Sequence, residues 1–424
     1  MAYRATGMAE LEEAARGEGQ MVARSRLQRT LLLWVQSVSW PSSVVDPEGG
    51  LPYRRNRWAP LSINTAVGPV VIHSPSYEKV GKPSLRPAEA ILGIRKTISP
   101  LLQKLCAHVA AELPFAAAEN ELRDLAQVQV SRNTINRVSL EMGDSAEADQ
   151  RDLHMPEGFG EATRVTVQID GGRVNTNEGW KEPRLARIQA TNADGRIAVF
   201  LLTAIVSAET FWPRIVNAIK QLGLATCSRL AFLSDGAKWI LPEAARLFPL
   251  AVCILDFYHA AEHIHDAAKL IFGEGSAQAR SWARRYVKRL RRGQILAVLE
   301  AWRRAASTLA TRGAVGAKAI DGLIEYFQGR VENVRYRTFR RRGFPIGSGQ
   351  IEAAVKQVLN LRLKRNGAWW NTRNAERILA LRAAKILGRL EAVWERKIMS
   401  RVAEVPAQFA HLVVSSPPPA GLAA

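Results

Sequence analysis

The chain has 424 residues, 47% hydrophobic and 23% charged, enough for one large core or two to three ordinary ones, which excludes wholesale disorder. Lys and Arg total 59 against 39 Asp and Glu, a formal net charge of +20, so the long-range field attracts polyanions and makes nucleic acid the first candidate partner. Cys106, Cys227 and Cys253 are odd in number and scattered without a C-x-x-C pair, which excludes a disulfide framework and a zinc ribbon and fits a reducing cytoplasm.

The opening stretch MAYRATGMAELEEAARGEG is polar and partly acidic, unlike a signal peptide. The apolar run TLLLWVQSVSW is too short to span a bilayer, so no membrane segment is expected. Residues 1 to about 60 are weakly patterned; Arg54, Arg55 and Arg57 are available to phosphate or to solvent. The alternation in SINTAVGPVVIHSP, punctuated by Gly and Pro, predicts short strands, so 1–98 reads as an N-terminal region with strands.

From Ser99 the periodicity becomes helical: SPLLQKLCAHVAAEL, a break at Pro114, FAAAENELRDLAQ, then VSRNTINRVSLEMG. Ser131 is placed to cap the third helix, which carries Arg132, Asn133, Asn136 and Arg137 on or near one exposed side. Residues 99–143 therefore have a helix-turn-helix shape, with Asn and Arg able to reach base edges and phosphates. The acidic GDSAEADQRDLHMPEG is expected to be a linker.

The period then switches to two. TRVTVQI puts Val165, Val167 and Ile169 on one face and ends at Asp170-Gly171-Gly172; ARIQA and RIAVFLLTAIVS follow as strands. Next come a helix in AETFWPRIVNAIKQLG, the strand RLAFLS ending at Asp235-Gly236, a helix around AKWILPEAARLF, and the strand AVCIL ending at Asp256. Three strands, helix, strand, helix, strand is the order of an RNase H-like α/β fold with a mixed sheet, whose first part is 163–258.

Residues 259–343 form a long basic helical stretch in which Arg280, Arg284, Lys288 and Arg292 recur every four residues and share a face, either solvated or tracking a phosphate backbone. Residues 344–400 return to the core with FPIGSGQIEAAVKQVLNLRLKR and C-terminal helices, and the tail 401–424, with SSPPPAGLAA, is expected to be disordered.

An Asp-Gly pair alone is an ordinary turn. Glu352 changes the weighing, because a helix beside the strands of Asp170 and Asp235 could project a third carboxylate toward both strand ends. Three like charges repel and raise one another's pKa values unless a divalent cation neutralises them; magnesium suits such oxygen ligands, and two ions can serve phosphoryl displacement. Ser348 is a candidate cap for the Glu352 helix, with Lys356, Arg362, Lys364 and Arg365 following as candidate phosphate contacts, and Trp369 and Trp370 as candidates for stacking on an unpaired base or for helix packing. A P-loop is absent: G-x-x-x-x-G-K-[ST] does not occur around Gly347-Ser348-Gly349.

At VQIDGGRVNTNEGWKE, FLSDGAKWI, ILDFYHAAEH and FPIGSGQIEAAVKQVLNLRLKRNGAWW, in that order, the chain resembles the DDE transposases of bacterial insertion sequences, in particular the IS-Kra group, over roughly Ser99 to Leu387. The resemblance implies an RNase H-like core with Asp170, Asp235 and Glu352 as catalytic, metal-binding triad for two Mg2+ or Mn2+ ions, and 259–343 as a helical insertion. It also implies an accessory D-x-x-H element at Asp256 and His259, double-stranded DNA (element ends and target) as substrate, a homodimer or higher multimer on DNA, and a bacterial cytoplasm near the nucleoid. The candidate DNA contacts are Arg132, Asn133, Asn136, Arg137, Arg284, Lys288, Lys356, Arg362, Lys364, Arg365, Trp369 and Trp370. Many relatives carry cysteine pairs in the N-terminal strand region; here none precedes Cys106.

Two rival readings remain open in the sequence. His259, Glu262 and His263 fit H-x-x-E-H, an inverted zinc-peptidase motif that would need a third ligand such as Glu325 or Glu332. A DNA-binding regulator without catalysis would use the helix-turn-helix alone.

Overall fold

A computed structural model of the chain describes residues 6–46, 49–310, 314–402, 405 and 407–409, so most of the expected tail 401–424 lies outside the described residues. The chain divides into two compact units, one comprising Met1–Glu147 with Gly388–Ala424 and the other Ala148–Leu387. It is a mixed α/β protein, and no helix of the described residues is long and apolar enough to cross a membrane.

The first unit begins with α1 (Thr6–Ser37), where the sequence predicts no regular element. Its N-terminal half is rich in Ala, Glu and Arg, good helix formers. Leu27, Leu31, Val35 and Val38, at helical spacing in its second half, pack into a core with the strands below. The strands are β1 (Ser43–Val44), β2 (Tyr53–Thr65) and β3 (Gly68–Glu78), the last two forming a long hairpin with Leu61, Ile63, Val70 and Ile72 buried. Short α2 (Pro87–Ile91) precedes α3 (Pro100–Ala110), α4 (Phe115–Ala126) and α5 (Arg132–Arg151). Leu102, Cys106, Leu122, Val130, Ile135 and Val138 give these three helices a common core. Ser131 caps α5 as predicted, its Oγ accepting from the Thr134 N–H at 3.4 Å.

The acidic stretch expected to be a linker instead prolongs α5 to Arg151. Ile135, Val138, Met142 and Ala146 are all buried, so the apolar stripe continues through it at helical spacing and no Gly or Pro breaks it before Pro156.

The second unit is built on a five-stranded sheet of β4 (Ala162–Gly171), β7 (Arg184–Asn192), β8 (Ile197–Ala204), β9 (Leu230–Ser234) and β10 (Val252–Leu255), with a small hairpin of β5 (Val174–Thr176) and β6 (Gly179–Lys181) after β4. The order is β10-β9-β4-β7-β8; β10, β9 and β4 pair in parallel, and β7 runs antiparallel to β4 and β8. The hairpin is too short for its alternation to stand out in the sequence.

Between strands run α6 (Ala208–Gln221) and α7 (Leu241–Leu247). Val165, Val167 and Ile169 join Phe211, Trp212 and Ile215 of α6 in the main core. After β10 come α8 (Phe257–Phe272), α9 (Ala277–Arg291), α10 (Ile295–Ala310), α11 (Ala314–Gln328) and α12 (Tyr336–Arg341). Arg280, Arg284 and Lys288 are exposed on α9, with Arg292 at its C-cap.

The Glu352 segment is α13 (Gly349–Ala354), which runs into a π-helical turn, Val355–Asn360, and then α14 (Leu361–Leu363). α15 (Thr372–Ile386) packs on β8 and closes the unit. α16 (Leu390–Val402) belongs to the first unit, where the Trp394 indole N–H donates to the Pro100 carbonyl at 3.0 Å.

Phe232, fully buried on β9 with ring centroids 5.9 Å from Trp212 and 5.2 Å from Phe248, sits at the centre of the sheet core. Phe232→Ala is expected to destabilise the second unit by about 3–5 kcal/mol, read by urea denaturation; a loss below about 1 kcal/mol would show that this site collapses around the cavity.

Candidate active site

Strand register brings the first two carboxylates together. In the parallel pair β4 and β9, Val165 faces Leu230 and Gln168 faces Leu233; continuing the pairing two residues sets Asp170 beside Asp235 at the C-terminal ends. Because side chains alternate across a strand, Asp170 leaves the α6 face that holds Val165, Val167 and Ile169 and points to the face of Gln168.

That face receives α13. Gln350 Oε1 accepts from Arg187 Nη1 of β7 at 2.9 Å and from Gln168 Nε2 of β4 at 3.5 Å, pinning the first turn of α13 to the sheet two residues before Glu352. A Cβ on Gly172 would collide with Leu359 Cδ2 and lie 3.6 Å from Lys364 Nζ, so only glycine lets the chain after Asp170 pass this close to the following turns. Gly236, after Asp235, has φ +100° and leaves 3.1 Å between an added Cβ and the Tyr326 hydroxyl, so it too is required by its turn.

Asp170, Asp235 and Glu352 consequently line one cavity of about 710 Å³. Asp170 Oδ1 accepts from its neighbour Gly171 N–H at 2.7 Å, Asp235 Oδ1 from Ala237 N–H at 3.1 Å, and Glu352 Oε1 from the Ser348 hydroxyl. The expected cap is thereby corrected: Ser348 makes no side-chain cap bond because its hydroxyl turns to the carboxylate one turn ahead. Burial, opposed by the Gly171 N–H and reinforced by the charges of Asp235, Glu352 and Glu182, pushes the Asp170 carboxyl up to about 6.

The donors are all hard carboxylate oxygens, which suits magnesium or manganese, and a cation would relieve the repulsion Asp170 feels. Among the described residues, no three His, Cys, Asp or Glu side chains stand close enough to chelate one ion as they are. The chemistry of the set fits a divalent cation; chelation needs the carboxylates to draw inward.

Asp256 plays a different part from the acids. It is 1% exposed; Oδ1 accepts from the His259 N–H at 2.6 Å, capping α8, and Oδ2 accepts from the Ser348 N–H. It ties the loop before Glu352 to the end of β10. His259 reaches the cavity, and its Nδ1 lies 3.6 Å from Glu262. Tyr258, Glu262, His265, Asp266 and Lys269 line the cavity from the same helix, a face opposite its buried Ala260, Ile264 and Ala268. That face was available in the sequence as the polar side of an amphipathic helix, spaced three and four apart.

The zinc-peptidase constellation is not assembled. His263 stacks on Tyr326 at 4.0 Å, and burial, then the His259 charge, lower its pKa; Glu332 pairs with Arg335, and Glu325 is exposed and absent from the cavity lining.

The candidate DNA contacts divide. Arg132 and Asn133 are exposed at the start of α5, Asn136 is half-buried, and Arg137 is held by Glu141 at 3.3 Å. Arg284, Lys288, Lys356, Lys364, Arg365 and Trp369 are exposed. Arg362 is 2% exposed and lies 5.0 Å over the Trp370 ring, whose indole N–H donates to the Leu363 carbonyl at 3.2 Å. These two therefore brace the loop and are corrected as surface contacts.

A family model described as an uncharacterised protein family (UPF0236) matches residues 87–397. No curated protein matches the chain.

The Asp170 shift makes a test without any substrate. Below the ordinary value of 3.8 both folded and unfolded chains are protonated; between 3.8 and about 6 the folded chain keeps a proton the unfolded one releases, so stability falls as pH rises through that window and stays lowered above it. In chelator, Asp170→Asn should be more stable than the parent by about 1–3 kcal/mol near pH 7.5, the gap narrowing toward about pH 4. A gap independent of pH in urea denaturation would contradict the shifted carboxyl.

Proposed function

The chain belongs to the uncharacterised protein family UPF0236, and from the geometry of its carboxylate cavity we propose that it is a magnesium-dependent DNA transposase of the DDE class. One observation carries the reading: Asp170, Asp235 and Glu352, which lie 65 and 117 residues apart along the chain, line one cavity. The strand and helix order supports an RNase H-like core interrupted by α8–α12 before the Glu352 helix.

Asp170, Asp235 and Glu352 would hold the divalent cations, Mg2+ or Mn2+; two such ions supply a deprotonated nucleophile and charge stabilisation at the leaving oxygen. The chain's own residues do the rest. Ser348 orients the Glu352 carboxylate through its hydroxyl, Gln350 holds α13 on the sheet, and Asp256 fixes the loop between them and α8. In the first step water oxygen bonds to phosphorus at an element end and the bond from phosphorus to the 3′ oxygen breaks, that oxygen leaving as a hydroxyl. In the second step this 3′-hydroxyl attacks a target phosphodiester and displaces the target's own 3′ oxygen. The net charge of +20 supports a DNA partner held through its phosphates. Bringing two ends together calls for a dimer or higher multimer on DNA.

With DNA carrying its own element's ends, the protein should nick specific strands in magnesium. Asp170→Ala, Asp235→Ala and Glu352→Ala should each lower cleavage by more than about 10³-fold while leaving end binding intact. A variant that still cuts refutes its assignment; wild-type protein that binds ends without cutting in magnesium or manganese is the outcome of a regulator, and casein degradation with zinc alone that of a peptidase. Affinity for the ends should fall about 10³-fold or more between low and physiological salt if six or more phosphates are neutralised; a flat dependence in a binding titration would contradict a phosphate-led interface.

A further inference from the structure

Beside the carboxylate cavity lies a second cleft, of about 670 Å³, with a different chemistry. Its charged lining side chains, Arg173, Lys364 and Arg365, are all cationic. Trp180 and Trp369 also line it and are 68% and 74% exposed, the two most exposed tryptophans among the described residues. A large apolar ring held in water is costly to maintain unless something covers it.

The cleft is built, not incidental. The β5–β6 hairpin, which starts four residues after Asp170, is fastened to the loop after α14: Asn177 N–H donates to the Trp370 carbonyl at 2.9 Å and Trp370 N–H to the Asn175 carbonyl at 3.2 Å. Trp370 is the bolt, its indole N–H bonded to the Leu363 carbonyl at 3.2 Å and its ring covered by Arg362. With Trp370 turned inward, its neighbour Trp369 faces out, into the same cleft as Trp180 of β6. Arg173 lines this cleft and also the recess of Asp170, Asp235 and Glu182, so the two run into one another.

We propose that this cleft binds one unpaired nucleotide of the DNA strand next to the bond being cut, its base stacked on the Trp180 and Trp369 indoles and its phosphate held by Arg173, Lys364 and Arg365. The proposal rests on the transposase reading for the words "being cut"; the binding itself does not. Cations beside exposed indoles match a phosphate joined to a π-face, and a base offers its face only when it leaves the duplex stack. The volume exceeds what one base fills, leaving room for its sugar and phosphate.

The test uses the full chain in calcium, a fluorescent duplex with a short thymidine overhang, and the matching blunt duplex, read by anisotropy. Wild-type protein should prefer the overhang, and Trp180→Ala and Trp369→Ala should each weaken overhang binding about tenfold, within the range stacking supplies, with blunt-duplex affinity unchanged. Trp180→Phe and Trp369→Phe should keep most of the preference, since a phenyl ring still stacks, and Trp58→Ala, an exposed tryptophan of the other unit, should change nothing. Lack of preference in the wild type, alanine variants that retain it, phenylalanine variants as weak as the alanine ones, or competition by poly-glutamate equal to that by the oligonucleotide would each overturn the proposal. Cleavage is scored separately in magnesium: overhang preference without cutting leaves the cleft assignment standing and removes the transposase, whereas cutting without overhang preference does the reverse.

Discussion

Parallel pairing between β4 and β9 is the constraint on which the rest of the second unit depends. With Gln168 opposite Leu233, the two strands end level and their terminal aspartates emerge side by side. A slip of one residue would send Asp170 to the α6 face among Val165, Val167 and Ile169, where an ionised carboxylate is untenable. The same alternation that buries those residues therefore aims Asp170 at α13. Its raised pKa is the thermodynamic trace of that placement: folding confines the carboxyl where it would rather stay protonated.

Asp256 converts this pairing into a three-way junction. A buried carboxylate is tolerated only when its lone pairs are satisfied, and both of its oxygens accept backbone N–H groups, one from the first turn of α8 and one from the loop before α13. The Phe257 N–H donating to the Ile346 carbonyl at 2.8 Å adds a second clasp between the same segments. Residues 256 and 348 are thus joined across the whole helical excursion of α8–α12, which makes the position of Glu352 insensitive to how those helices are loaded. The π-helical turn after α13 works toward the same end, since an extra residue in a turn re-aims the side chains beyond it.

Basic residues are distributed by role as well as by count. Arg187 is partly desolvated and serves Gln350; Arg362 is buried beneath Trp370; Arg184 lies 4.4 Å over Trp239 and donates to the Val206 carbonyl at 2.9 Å. These guanidiniums use planarity and several donors to brace backbone and rings, which a lysine could not do. The exposed Arg284, Lys288, Lys356 and Lys364 are the ones left to meet a polyanion. Net charge read from composition overstates the surface available to phosphate for this reason.

How much of this was legible in the sequence follows the range of the interactions concerned. Period-two alternation in TRVTVQI and RIAVFLLT, Gly after each strand-end Asp, and Ser131 before its helix are local signals, and the elements they mark stand where they were read. Asp170, Asp235 and Glu352 could be nominated by position and by resemblance; that they border one cavity needed the register of β4 on β9 and the Gln350 anchor, contacts between residues far apart in the chain. Helix α1, the extension of α5 and the β5–β6 hairpin were missed because polar helix formers, an acidic run and a three-residue strand carry weak local preference, and packing decides them. By itself the sequence determined the strands and helices, the glycines and the identity of the acids, since these rest on neighbours a few residues away. Only the tertiary structure decided that Asp256 is a tie and that Trp370 is a bolt while Trp369 stands open beside Trp180, because each depends on which distant atom occupies the space beside it.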